Sequence, residues 1–329
     1  MAKMIDSMIS VTVADIEKYF ETATVLKDWL LKDGYRPTLL TNQVLCTVWE
    51  RPSLRTRVSF EAGMAQLGGQ FLTLKAFPPA SADIIFKEDV RDQASVLSSM
   101  CDLIMARVYT HGTIAGLAGS STVPVINGMS DMAHPVQILT DLYTIWEKKG
   151  TLKGLKVAYL GEGTGNTLQD HIVGCASMGL DLVLGCPDYS KNELLQKLEF
   201  GLPDAEWVKE GEKRAKISGS KFTITNDPIE AIKGADIVYT DSWIAWDKPE
   251  EKAAAAEIKA IFDPYKVSAE LMKHAKADAN FMHCLPAYRG YEMTADVIDG
   301  PQSIIYAQAE NRLHVEKGIM VELLKPLKG

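Results

Sequence analysis

Apolar positions along this chain change period repeatedly, and the changes mark its elements. After Thr12, the residues Ile16, Phe20, Ala23, Leu26 and Leu30 fall three or four apart, which predicts one face of a helix ending near "KDGYRP". Thr12 followed by Asp15 supplies an N-cap with an acid at the third helical position. The opening "MAKMIDSMISVTVADIEKYF" reads as part of the same helix. Beyond it, short apolar runs alternate with helical stretches. "QVLCTVWE", "FLTLKA", "LIMARVY" and "VPVING" read as buried strands, with "RVSFEAGMAQLG" and "EDVRDQASVLSSM" as helices between them. The second half repeats the rhythm with "KVAYLG", "LDLVLGC", "KFTITND", "DIVYTD", "FMHCLP" and "SIIYAQ".

Strand, helix, strand throughout predicts an α/β protein of two domains, each a parallel sheet flanked by helices. The boundary falls near 140 to 153, where "HPVQILTDLYTIWEKKG" makes one long interdomain helix before a glycine-punctuated restart. The reading places the domains at 1–145 and 146–308. The helical "AENRLHVEKGIMVELLKPL" then returns to pack back over 309–329. In such sheets ligands sit beyond the carboxyl ends of the strands, so chemistry is expected just after those runs.

Composition narrows the partners. A formal charge of −8 with 24% charged residues argues against a general nucleic-acid or membrane surface, so local clusters of basic residues need a local reason. Cys46, Cys101, Cys175, Cys186 and Cys284 are odd in number, scattered and mostly within apolar runs, which reads as reduced thiols in the cytoplasm. No signal-peptide pattern and no membrane-length apolar run stands in the sequence.

The chemistry lies where expected. "RPSLRTRVSFE" hands a strand over to a helix, whose free N–H groups and positive dipole end favour an anion. Ser53, Arg55 and Thr56 add hydroxyls and a planar fork, which together read as a phosphate cup; the bland alternative is a helix start with solvated arginines. Arg107 ends a hydrophobic strand, where desolvation demands a partner or a ligand. His134, just before Pro135 at a helix start, and Gln137 lie after the next strand. Arg107 with His134 is suited to polarising a carbonyl oxygen, although a lone histidine more often only satisfies a core. "GEGTGN" is a poor dinucleotide loop, because Asn166 replaces the third glycine and no acid closes the strand "LDLVLGC". Asn166 is better read as a polar contact to a small substrate. Asp241, at a strand end, suits an ammonium group, and Cys284 is either a structural thiol or part of a reacting centre. His171 and Cys175, four apart, supply two ligands and do not make a metal site.

Taken in order, "SLRTR", "MARVY", "HPVQ", "TDSW", "HCLP" and "AENR" resemble the aspartate/ornithine carbamoyltransferase family over nearly the whole chain. The resemblance implies a carbamoyl-phosphate domain and an amino-substrate domain, in a homotrimer with shared active sites and no cofactor or metal. It implies that Ser53, Leu54, Arg55 and Thr56 hold the phosphate. Arg107, His134, Gln137 and Arg312 then hold the carbamoyl group, with Cys284 and Leu285 lining the reacting centre. Asn166, Asp241, Ala245 and Trp246 fall to the amino substrate, and "HCLP" favours ornithine over aspartate. Two stretches depart from the family. Ile244, Ala245, Trp246 and Asp247 stand where ornithine enzymes carry a Ser-Met-Gly loop, which makes putrescine the rival substrate. Asp83, with Lys87 nearby, stands near the position of a glutamine that the neighbouring subunit offers to carbamoyl phosphate. A nicotinamide-dependent dehydrogenase using the glycine turn is the alternative from another class. The resemblance also implies a place in arginine metabolism, in the synthetic direction of the urea cycle or the degradative direction of the arginine dihydrolase pathway.

Overall fold

A computed structural model describes residues 3–75, 88–245 and 248–325. Asp83, Lys87, Trp246 and Asp247 lie outside the described residues. The chain divides into two compact units, Met1–Tyr143 with Ala309–Gly329, and Thr144–Gln308.

The first unit holds a five-stranded parallel sheet. In chain order its elements are β1 (Met4–Ile5), α1 (Val13–Asp33), β2 (Val44–Trp49), α2 (Leu54–Gln66), β3 (Gln70–Lys75), α3 (Val90–Met100), β4 (Leu103–Arg107), α4 (His111–Ser120), β5 (Val125–Met129) and α5 (Pro135–Lys149). The strand order is β1-β5-β4-β2-β3, so the chain steps outward from β2 to β3 and then crosses to β4 on the other side. One apolar cluster, including Cys46, Leu97, Cys101, Ile104 and Leu117, packs α3 and α4 against β2, β4 and β5. The thiols of Cys46 and Cys101 are buried in it as small hydrophobes.

Two expectations change at the amino terminus and in β3. Met4 and Ile5 form a strand paired with Val125 and Ile126, where the sequence reading continued a helix. The capping box explains the break: Thr12 Oγ1 accepts from Asp15 N at 3.2 Å and Asp15 Oδ2 from Thr12 N at 3.2 Å, so the helix starts only at Val13. Gly34 closes α1 at φ 63°, a conformation that glycine adopts without steric cost. Strand β3, expected to be buried, is the sheet's edge, and Phe71 is 41% exposed.

The second unit repeats the plan with β6 (Lys156–Leu160), α6 (Asn166–Met178), β7 (Asp181–Gly185), β8 (Phe222–Thr225), β9 (Ile237–Tyr239) and β10 (Asn280–Met282), in the order β10-β9-β6-β7-β8. A helix from Ala205 to Ser218 packs on α6, where a Cβ on Gly211 would stand 2.6 Å from Ile172. Strand β8 is likewise an edge and half-exposed rather than buried. "SIIYAQ" is not a strand: only Ser303 bridges Phe281, and Ile305 opens the C-terminal helix, Ile305–Leu324. Its apolar run covers the first turn of a helix, a pattern too short for hydrophobicity alone to separate from a strand. Among the described residues, no helix is long and apolar enough to cross a membrane.

The part of the C-terminal helix that belongs to the first unit lies against α1. Gly318 permits this approach, since a Cβ there would stand 2.8 Å from the Tyr19 carbonyl oxygen and 3.1 Å from Ala23 N. Thr22 Oγ1 donates to Glu322 Oε1 at 2.6 Å one turn further on. Gly318→Ala should therefore destabilise the protein by about 1–3 kcal/mol through overpacking. A lower urea midpoint with an unchanged m-value would show it, and an unchanged midpoint would mean that the helices part at no cost.

Candidate active site

Both sheets reverse direction once, and the sequence-predicted residues gather at those reversals. In the first sheet β2 and β4 are neighbours, with Trp49 opposite Arg107, and the crevice beyond their carboxyl ends is the switch point. Helix α2 starts there. Ser53 is its N-cap, and its Oγ accepts from Thr56 N at 3.3 Å. Thr56 is buried, while Leu54 is 74% exposed.

Three arginines differ in their use. Arg57 pairs with Glu61 at 3.0 Å one turn along α2, and Arg51 lies over the Tyr109 ring at 5.4 Å. Arg55 remains at the helix start, near enough to His134 to act on its proton affinity. Arg107 Nη1 reaches Thr56 Oγ1 and the Gly128 carbonyl, both at 3.5 Å, where the pairing of β4 with β5 shifts register between Ala106 and Arg107. The guanidinium thus reaches the first turn of α2.

Arg312 completes this group from the C-terminal helix, at 2% exposure. It donates from Nη2 to Thr56 Oγ1 at 3.1 Å, from Nη1 to Gln137 Oε1 at 2.7 Å and from Nε to Glu316 Oε1 at 2.7 Å. Gln137 in turn donates to Asp141 Oδ1 at 2.8 Å, so its amide is oriented with the carbonyl toward Arg312. His134, just before α5, is buried, and its proton affinity lies well below the ordinary histidine range. Burial is the main cause, followed by the charges of Arg312, Arg107 and Arg55. The imidazole is therefore neutral near pH 7 and offers one N–H donor beside a cluster of guanidinium groups. An anion with an adjacent polarisable oxygen is the ligand that such a set suits.

The second unit has its own switch point between β6 and β9. Asn166 begins α6 just after β6, with its Oδ1 accepting from Thr167 Oγ1 at 3.2 Å. Asp241 follows β9 and Cys284 follows β10. Those strands pair in parallel with Tyr239 opposite Met282, so two residues further on each strand the two side chains meet. Cys284 Sγ donates to Asp241 Oδ1 at 3.1 Å, a pairing that neither position announced in the sequence. Asp241 Oδ1 also accepts from Ser242 N at 2.7 Å. Ala245 N donates to Glu251 Oε2 at 2.7 Å, which ties down the loop after β9.

Strand alternation would turn His283 away from this pair, yet its ring comes within 4.8 Å of both, while its hydrogen bonds go elsewhere. Its Nδ1 accepts from Leu285 N at 2.8 Å and its Nε2 lies 3.2 Å from Glu292 Oε1, both side chains being buried. The Leu285 N–H thus fixes the tautomer with the proton on Nε2. Leu285 itself sits at φ 62°, a costly conformation for a branched side chain, which this histidine bridge helps to hold. Asp241, His283 and Cys284 bring three potential metal-ligand atoms within 4.8 Å of one another, but both nitrogens of His283 are already engaged. The other pair, His171 and Cys175, is buried within α6, where His171 Nδ1 meets the Thr167 carbonyl at 2.9 Å.

The glycine turn after β6 serves packing. A Cβ on Gly163 would stand 2.3 Å from the Gly201 carbonyl oxygen, and one on Gly161 would stand 2.6 Å from Trp243 Nε1. Asp188, the nearest acid beyond β7, is spent on Ser190 and Lys191. Neither feature is free for a dinucleotide. Glu316, Asp141 and Glu292 are the site-supporting residues that sequence reasoning missed. The first two had a signal, since each stands four positions after the residue it holds on a helix.

Comparison with known proteins agrees with this layout. Residues 3–147 match the model for the aspartate/ornithine carbamoyltransferase carbamoyl-P binding domain, and residues 153–323 match that for the Asp/Orn binding domain. An anabolic ornithine carbamoyltransferase of Pyrococcus furiosus is 43% identical over 317 residues, covering 96% of this chain and 95% of the relative. The ornithine carbamoyltransferase of Bacillus subtilis is 42% identical over 313 residues, covering 95% and 92%. A solved structure of the Pyrococcus furiosus enzyme superposes with a TM-score of 0.90 at 42% identity, covering 99% of both chains. One of ornithine transcarbamoylase from Giardia lamblia gives 0.85 at 30% identity, covering 100% of both. The chain belongs to the aspartate/ornithine carbamoyltransferase family.

Proposed function

We propose that this enzyme is an ornithine carbamoyltransferase, converting carbamoyl phosphate and L-ornithine reversibly to L-citrulline and phosphate. The observation that carries the reading is the convergence of Arg107, Arg312 and the buried Thr56 hydroxyl on the N-terminus of α2, next to an uncharged His134. The names of the relatives favour ornithine over putrescine as the acceptor.

In this reading Ser53, Leu54, Arg55 and Thr56 bind the phosphate through helix N–H groups, hydroxyls and the Arg55 fork. Arg107, His134 and Gln137 bind the carbamoyl group, and Arg312 spans phosphate and carbamoyl. The neutral δ-amine attacks the carbamoyl carbon, and its lone pair forms the new C–N bond. The carbonyl oxygen takes up negative charge beside Arg107 and His134, and then the C–O bond to phosphate breaks with its electrons leaving on phosphate. The amine proton is lost to solvent or to the departing phosphate. Each oxyanion donor is worth about 3 kcal/mol of barrier. Asn166 and Asp241 hold the α-amino acid end together with the loop at Ala245 and Trp246, while Cys284 and Leu285 line the attacking amine. Cys284 works here as an oriented thiol against Asp241, not as a nucleophile.

The protein acts in the cytoplasm as a homotrimer in this proposal, within arginine metabolism. An assembly is supported by the apolar side chains that the single chain leaves exposed on α2 and β3: Leu54, Val58 and Phe71. Light scattering in solution should return three times the mass of one chain; the mass of a monomer would remove this part of the reading.

The deciding assay offers carbamoyl phosphate with ornithine, putrescine or aspartate separately. Citrulline from ornithine, with putrescine far slower, is expected, whereas faster putrescine turnover would reassign the acceptor. Because an alkylamine of pKa near about 10 must lose a proton before attack, kcat/KM for ornithine should rise with pH through the neutral range. A flat profile between about pH 6 and 9 would mean that the amine is not the titrating nucleophile. Arg55→Ala should raise KM for carbamoyl phosphate by about tenfold or more, since a charge-assisted fork is lost, with the KM for ornithine little changed.

A further inference from the structure

The C-terminal helix carries, four residues beyond Arg312, a carboxylate that none of the binding roles above uses. Glu316 is fully buried, and its Oε1 lies 2.7 Å from Arg312 Nε and 2.5 Å from Nη2. Its other oxygen is buried away from Arg312, and the Ser59 hydroxyl is the second hydrogen-bonding group at the carboxylate. A guanidinium that meets phosphate through Thr56 and carbamoyl through Gln137 thus has its third edge closed by an acid.

We propose that Glu316 is a positioning residue for carbamoyl phosphate: its carboxylate fixes the plane of the Arg312 guanidinium and, by holding or releasing a proton, sets how much of that positive charge reaches the phosphate. This rests on the reading of the first unit as the carbamoyl-phosphate half of a carbamoyltransferase. Two geometric facts carry it. The Arg312 fork is divided between Glu316 on one side and Thr56 and Gln137 on the other, so neither side can move without the other. The oxygen turned away from Arg312 can take a proton without breaking the contacts that Oε1 makes to Nε and Nη2.

Burial lifts Glu316 to a pKa of about 7, with Arg312 and the Ser59 hydroxyl pulling the other way. Above that pH the ionised carboxylate offsets Arg312, and below it the arginine charge stands uncompensated. An anion arriving at Arg312 therefore favours the protonated form, and affinity for carbamoyl phosphate should fall as pH rises through about 7. Arg312 is the charge that acts on Glu316, the Ser59 hydroxyl on α2 is its other partner, and Lys317 follows on the same helix, while His134 shares the charges of Arg312, Arg107 and Arg55. His134 is held well below this range. Lys317, whose ammonium donates to Gln66 Oε1 at 3.2 Å, is lowered to about 8, by burial and then by Arg36, and is the group that must be separated from Glu316.

The test is the KM for carbamoyl phosphate between about pH 6 and 8.5 in the wild type, Glu316→Gln and Lys317→Gln. In the wild type KM should rise about three- to tenfold across this range. Glu316→Gln keeps an acceptor for Arg312 and removes the charge. It should hold KM near the wild type's low-pH value throughout, and Lys317→Gln should keep the wild-type rise. If Glu316→Gln does not fold, Glu316→Asp serves in its place. Its shorter side chain draws the carboxylate back from Nε and Nη2, so KM should be raised at every pH and still climb with pH. A wild-type slope that persists in Glu316→Gln, or disappears in Lys317→Gln, overturns the inference and leaves the carbamoyltransferase reading intact. Absence of citrulline from the wild type overturns both.

Discussion

A guanidinium cannot be buried without partners on every edge, and the first unit is arranged around satisfying one. Arg312 comes from the end of the chain, yet its partners come from α2 near residue 56, from α5 near residue 137 and from its own helix at Glu316. The residues it ties together are about 80 to 260 positions apart in sequence, and the cost of closing such loops grows only slowly with their length. Gly318, further along the same helix, lets that helix press against α1. Removing one member of such a buried set leaves an uncompensated charge and costs roughly 3–5 kcal/mol, so the arrangement is held as a whole.

The two units solve the same problem with the same topology. In each parallel sheet the chain steps outward to one edge and then crosses back, which leaves a crevice between two strands whose connections run to opposite sides. In the first unit the crevice receives an N-capped helix and arginines; in the second it receives Asn166, Asp241 and Cys284. Backbone register alone brings Asp241 beside Cys284, since both lie two residues past paired positions of β9 and β10. The polar groups therefore need no long loops to meet. Parallel strands of similar length end together, and their next residues share one edge.

Electrostatics then separates the two halves. Burial and three nearby guanidinium groups keep His134 uncharged, so it serves as a hydrogen-bond donor rather than a further cation. In the second unit the acid Asp241 faces a thiol, a weak donor that leaves most of the carboxylate's accepting capacity for another partner. The arginine-rich site of the first unit suits the acyl phosphate of the proposed reaction, and the carboxylate of the second suits its amino substrate.

The sequence by itself determined the class of fold, because periods of 3.6 and 2 follow from backbone geometry and need no tertiary contact to be read. It also located Ser53, Arg55, Thr56, Arg107, His134, Asn166, Asp241 and Cys284 at strand ends, since alternating strands and helices leave few other exposed places for polar residues to gather. It failed where pattern and environment part. "SIIYAQ" has a strand's apolar run but no neighbour to pair with beyond Ser303, and it became a helix. Phe71 in β3 looked buried and lies on an edge. Only the tertiary structure decided which groups touch: Arg312 with Thr56 and Gln137, Cys284 with Asp241, and His283 with Glu292. Those contacts depend on strand order, crossover and the approach of one helix to another. One-dimensional spacing carries no record of them beyond a single helical turn, and that is why Glu316 beside Arg312 could have been read from the sequence while Thr56 beside Arg312 could not.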